Sequence, residues 1–126
     1  MPVKVSARQF DELVRNAIDR IPDEIRLHLD NLIITVRSRP SADLMKSLAI
    51  ETPNGLFGLF QGVPLIERSV TAPPLFPDTI LLFQEALEEA CASEEELAEQ
   101  IEVTVVHEVA HFVGMSEERL WELGYG

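Results

Sequence analysis

His107 and His111 stand four positions apart in the run His-Glu-Val-Ala-His. On a helix that spacing puts two imidazoles on one face about one turn apart, close enough to share one metal ion. Glu108, on the neighbouring part of that face, can take a proton from a water activated by the metal and pass it to a leaving amine. The chemistry indicated is metal-assisted hydrolysis, with Zn2+ as the ion that suits two nitrogen donors.

A catalytic zinc takes three protein ligands and keeps one position for water. Gly114 follows His111 by three, and Glu117 follows it by six, where the pattern H-E-x-x-H-x-x-G-x-x-H has its last ligand. That ligand would here be a carboxylate. Glu118 is its competitor, and a helix starting at Ser116 would make both of them solvated first-turn acids. A ligand on a later helix has only Glu122 to draw on.

The motif needs a helix, and the sequence supplies its two ends. Ser93 with Glu96 has the form of a capping box, and Glu94 and Glu95 add negative charge to the first turn, where the helix dipole favours it. The helix should run to about Val113 and stop at Gly114, the residue best suited to a left-handed end. Ser116 then caps a final helix of about two turns through Arg119, Leu120 and Leu123.

Other elements frame that helix. Ser6 with Gln9 opens an amphipathic helix through Phe10, Leu13, Val14, Ala17, Ile18 and Ile21, ending near Pro22. Pro22 to Asp30 can add one or two helical turns. The β-branched run Leu32 to Val36 is expected to be a central strand, and Ser41 to Pro53 a loop or short helix. Asn54-Gly55 signals a turn before a short strand, Leu56 to Gln61, whose internal glycine suggests an edge position or a close backbone approach. Thr71 to Pro77 carries three prolines and reads as an irregular crossing. Thr79 to Phe83 is a further strand and Gln84 to Ala92 a helix.

At 126 residues and 46 % hydrophobic content the chain suits a single domain, residues 1–126, with a modest core. It shows no leader-like N-terminal run and no apolar stretch long enough to span a bilayer, which points to a cytoplasmic protein without a membrane partner. The one cysteine, Cys91, in an Ala-Cys-Ala setting, reads as a small buried hydrophobe. The net charge of −12 is uneven. Residues 1–68 hold nine acids and nine bases, whereas residues 69–126 hold thirteen acids and one base, Arg119. Such a half repels phosphate backbones, argues against nucleic acid, and should favour cations or basic partners, unless it is only a solubilising face.

Residues 107–114, with Ser-Glu-Glu-Arg-Leu after them and the tail Leu123-Gly-Tyr125, resemble the zincin superfamily, in particular the small bacterial zincin-like metallopeptidases. Gly58 to Leu65 with Arg68 resembles that family too, so the resemblance covers about residues 30–126. It implies a minimal α+β domain: a small mixed sheet packed on the metal-bearing helix, flanked by N- and C-terminal helices, with the strand near Leu56 to Gln61 at the rim of the cleft. It also implies a peptide or small-protein substrate. Two departures stand out. No methionine follows Met115 to make the turn that metzincins place beneath the metal, and no second subdomain supplies a far wall for the cleft.

Four further residues carry weaker signals. His28 reads as a partly exposed helix residue, Arg68 as a surface ion-pair partner, and Trp121 and Tyr125 as packing residues of the tail, Tyr125 being able to reach the metal pocket and donate to an oxyanion. Two other functions compete: a binding protein that keeps the fold without catalysis, and a metal-dependent RNA-processing nuclease. The nuclease needs no glutamate after the first histidine and wants a basic surface. The sequence does not set the oligomeric state.

Overall fold

The computed structural model describes residues 2–62 and 78–125. Its centre is a 20-residue helix, α5 (Glu94–Val113), against which the other elements are laid. Helix α1 (Ala7–Arg20) packs along one side of it and a three-stranded sheet along the other. Leu97, Ile101, Val105, Val106, Val109, Ala110 and Phe112 are therefore buried over more than one face of α5.

Local chemistry explains the helix boundaries. Ser6 Oγ accepts the Gln9 N–H at 3.1 Å and Gln9 Oε1 accepts the Ser6 N–H at 3.0 Å, the reciprocal pair expected from the sequence. Phe10, Val14 and Ala17 form the buried stripe of α1, and the chain turns extended at Ile21 because Pro22 excludes the helical region there. After it come α2 (Asp23–Arg26) and a 3-10 turn, Leu27–Asn31. At α5, Ser93 Oγ accepts the Glu96 N–H at 3.1 Å, but Glu96 reaches back to the Ala92 N–H at 3.3 Å rather than to that of Ser93. The second box is thus displaced by one residue.

The sheet has the order β1-β3-β2, with β1 (Ile33–Arg37) parallel and β2 (Gly58–Gln61) antiparallel to β3 (Thr79–Phe83). The expectation of a central strand at Leu32 to Val36 is corrected: β1 is an edge, and Ile33 is 47 % exposed. β-Branched content marks a strand without saying whether it is hydrogen-bonded on one side or two. The centre falls to β3, whose Ile80, Leu81, Leu82 and Phe83 are buried on both faces. β2 is the edge its glycine suggested. Between β1 and β2, α3 (Ala42–Ser47) is capped by the Ser41 hydroxyl, and Pro53–Gly55 make a 3-10 turn. The expected crossing at 71–77 and Arg68 lie outside the described residues.

Two glycines shape the end of the chain. Gly114, at φ +71°, lets its N–H bond to the His111 carbonyl while the Met115 N–H reaches Ala110, which closes α5. Helix α6 (Glu117–Glu122) follows, capped by Ser116, and ends the same way: Gly124, at φ +93°, bonds to Trp121 and Tyr125 to Leu120. Arg119 makes a bidentate bond to Glu24 on α2 and a bond to Glu122 at 2.9 Å, so the one base of the acidic half ties α6 to the N-terminal layer. Trp121, expected to pack, is 75 % exposed instead, because a six-residue helix has one buried position, Leu120, and Trp121 lies about 100° round from it. Helix α4 (Gln84–Glu89) follows β3, and Cys91, just beyond it, is buried as expected, its thiol pushed up by that burial. No helix among the described residues is long and apolar enough to cross a membrane.

Candidate active site

His107, Glu108 and His111 all line one cleft of about 510 Å³, between the last turns of α5 and the segment Asn54–Gly58 that leads into β2. The opposing walls are brought together by a missing side chain. A Cβ on Gly58 would lie 2.7 Å from Thr104 Cγ2 and 3.1 Å from the Leu81 carbonyl oxygen, so only glycine lets β2 settle on α5 one turn before the motif. Phe60 completes the clamp, its ring 5.0 Å from that of Phe112 on α5.

The sheet register decides which backbone groups face α5. Phe83 N–H bonds to the Phe57 carbonyl, and the pairing then steps by two along β2, leaving Gly58 and Phe60 with their backbone groups turned to its outer edge. The Phe60 N–H bonds to the Glu108 carboxylate. Burial nonetheless pushes the Glu108 carboxyl above its ordinary range, against the opposing pull of His111, the Phe60 N–H and His107. A half-buried carboxylate with raised basicity, beside two imidazoles, is suited to accept and return a proton.

His107 and His111 are both exposed at the cleft mouth. His107 Nε2 lies 2.7 Å from the Tyr125 carbonyl oxygen. The Tyr125 hydroxyl goes elsewhere, to Glu102 at 2.9 Å, and burial together with that bond pushes it up to about 12. Tyr125 packs against the core, as expected, and it reaches the motif through its backbone while its hydroxyl turns away from it. Glu102 also receives Arg20 at 2.9 Å, so one carboxylate joins α1, α5 and the tail.

Two neutral nitrogen donors and a nearby carboxylate suit a zinc ion in two of its ligand places. Glu117 and Glu118 are exposed in the first turn of α6, and among the described residues no group of three or more His, Cys, Asp or Glu side chains is placed to hold a metal. His28 is half-buried in the 3-10 turn after α2, away from the cleft.

A family model described as zincin-like metallopeptidase matches residues 29–126. The chain belongs to that family. The zincin-like match takes in all three strands and the whole of α5 and α6, and it leaves out α1 and α2, which lie before residue 29. No curated protein matches the chain. In the sequence, the glycine inside the strand pointed to a close backbone approach at Gly58 and Tyr125 was able to reach the pocket, whereas nothing pointed to Phe60 or to the Tyr125 backbone. Phe60 and Tyr125 act through backbone atoms, which carry no residue type, and Gly58 acts by having no side chain.

Proposed function

We propose that the protein is a zinc-dependent peptidase acting on short or extended peptides, with Glu108 as proton carrier and His107 and His111 as two of the metal ligands. The observation that carries this reading is the shared cleft, in which the half-buried Glu108 faces β2 between the two histidines in sequence. Zinc, when bound, would acidify a water and polarise the peptide carbonyl. Glu108 takes the proton of the attacking water on its carboxylate and delivers it to the leaving nitrogen. The Phe60 N–H keeps that carboxylate aimed across the cleft. Among the described residues no strand lies on the outer edge of β2, and an extended peptide can align along it. Glu117 is the proposed third donor, with Glu118 its competitor, the chosen side chain closing on the ion as it binds. The acidic half makes nucleic acid a poor partner and leaves the RNA-processing alternative without support.

A second reading keeps the fold and drops the chemistry: the same outer edge of β2 can take a partner strand without a metal. One comparison separates the two. Protein purified without chelator is assayed for zinc by elemental analysis and for turnover of a peptide library at neutral pH, alongside His107→Ala, His111→Ala, Glu117→Gln and Glu118→Gln. The peptidase reading expects one zinc per chain, lost in both histidine variants and weakened in one of the glutamate variants. A wild type that holds zinc and cleaves nothing supports the binding protein, and one that holds no zinc removes the metal site.

A further inference from the structure

The sheet has a second edge, β1, on the side away from the cleft. The Ile33 N–H bonds to the Asp78 carbonyl, so in this parallel pair Ile33, Thr35 and Arg37 bond to β3, and the N–H and C=O groups of Ile34 and Val36 point outward. Among the described residues no strand lies beyond them. Strand edges are ordinarily blunted by a lysine, a proline or a bulge. β1 has none of these and reads Ile-Ile-Thr-Val before its one charge, Arg37.

Apolar surface accompanies that edge. A groove of about 630 Å³ lies beside it, walled by Ile18, Leu27, Leu29, Leu32 and Ile34. Two large hydrophobic side chains are left in solvent here, Leu27 at the groove and Ile33 on the opposite face of the sheet from Ile34. Ile18 and Leu27 precede residue 29, so the groove is built partly from residues that the zincin-like match leaves out.

Charge favours a second copy of the chain as the partner. With a net charge of −12, two copies repel over most of their surface. Residues 23–39 are balanced instead, with Asp23, Glu24 and Asp30 against Arg26, Arg37 and Arg39. Asp23 pairs with Arg26, Glu24 with Arg119 and Arg39 with Glu85. The charges left over among the described residues are Asp30, just before β1, and Arg37, at its far end. A strand that is acidic at its start and basic at its end complements itself when two copies run antiparallel.

We propose that β1 is the interface of a homodimer, in which two copies pair antiparallel about a two-fold axis at Ile34 and set Arg37 of each beside Asp30 of the other. The two three-stranded sheets then join into one. On the groove face Ile34 meets its own counterpart and Val36 meets Leu32, while on the other face Thr35 covers the exposed Ile33. Both clefts stay open, because they lie at β2, the opposite edge of each sheet. The interface needs no metal, so its test is separate from that of the peptidase reading.

That test is sedimentation velocity of the purified chain from micromolar to millimolar concentration. The wild type should dimerise reversibly, and one that stays monomeric throughout overturns the proposal. Asp30→Arg and Arg37→Glu, both at exposed positions, each put like charges together at both ends of the interface. Either alone should raise the dimer Kd about 10-fold. An equal mixture of the two variants puts opposite charges together at both ends, so association should return as a heterodimer of wild-type strength. The double variant Asp30→Arg with Arg37→Glu should recover it within one chain. Ile33→Lys removes apolar contact from the centre of the interface and should also weaken the dimer by about 10-fold, with circular dichroism showing the fold retained. A dimer that none of these substitutions moves is formed elsewhere, and overturns the proposal. A mixture that associates no better than its components overturns the antiparallel register, and the proposal with it.

Discussion

The Phe60 N–H on the outer edge of β2 bonds to the Glu108 carboxylate on α5, so strand and helix share one hydrogen bond at a residue that lines the cleft. That bond favours the charged carboxylate, as do both histidines, yet burial prevails and the carboxyl is held above its usual range. The cleft therefore keeps the Glu108 carboxyl in surroundings that raise its basicity, at some cost in stability.

Replacing Glu108 with Gln should abolish the proton transfer while keeping the side-chain volume. Peptide turnover is expected to fall by about 10²- to 10⁴-fold, the usual worth of a positioned general base. Zinc content should stay at the wild-type level, because Glu108 is not proposed as a ligand. Turnover that survives the substitution would refute the mechanism, and loss of zinc in this variant would make Glu108 a ligand.

The same substitution has an expected effect on stability, with a definite sign. A carboxyl raised in the folded state holds its proton more tightly there than in the unfolded chain. Its contribution is thus favourable at acid pH and is lost as pH rises from the ordinary carboxylate value through the raised one. Glu108→Gln should melt higher than wild type at neutral pH, and the difference should shrink on acidification. Thermal unfolding of the metal-free proteins across pH 4 to 8 checks this, and a difference that does not vary with pH would mean that burial is not the cause.

Glu24 should show the opposite dependence. Hydrogen bonding to Arg119 holds its carboxyl below the usual range, so what it contributes is present at neutral pH and is lost as pH falls through the lowered value. The pair is exposed, and the expected effect is local: faster amide exchange in α6, with little change in global unfolding. Glu24→Gln at neutral pH should reproduce the exchange seen in acidified wild type. If α6 exchanges no faster in the variant, the ion pair does not hold that helix.

How far the sequence could be read depended on whether side chains or backbone carried the information. Ser93 and Gly114 bracket α5 because a hydroxyl cap and a left-handed end each require particular residue types, and the spacing of His107 and His111 is visible once the helix is. Thr79 to Phe83 was legible as a strand but not as the central one, since a strand's place in a sheet is decided by partners distant in sequence. Gly124 did offer a signal: it ends α6 as Gly114 ends α5, and reading it so would have turned Tyr125 back toward the motif. Phe60 offered none, because its ring packs on Phe112 while its amide does the work at Glu108.

The closest approach of β2 to α5 gives the last expectation. An alanine at Gly58 would set its methyl 2.7 Å from Thr104 Cγ2, nearer than non-bonded carbons approach, and 3.1 Å from the Leu81 carbonyl oxygen. The threonine is β-branched and stiff on a helix, so it cannot swing clear, and the strand must lift instead. Overpacking of this kind costs about 1 to 3 kcal/mol. Lifting the strand also draws the Phe60 N–H, two residues on, away from Glu108, so turnover should fall although no group in the chemistry has changed. Zinc content should hold, because β2 supplies no proposed ligand. Thr104→Ser removes the Cγ2 methyl and should be mild by itself. In the double variant it should recover part of both the stability and the turnover, the remainder being the contact with the Leu81 carbonyl. A coupling near zero in this double-mutant cycle would mean that β2 has other room to move and that Gly58 does not set the width of the cleft.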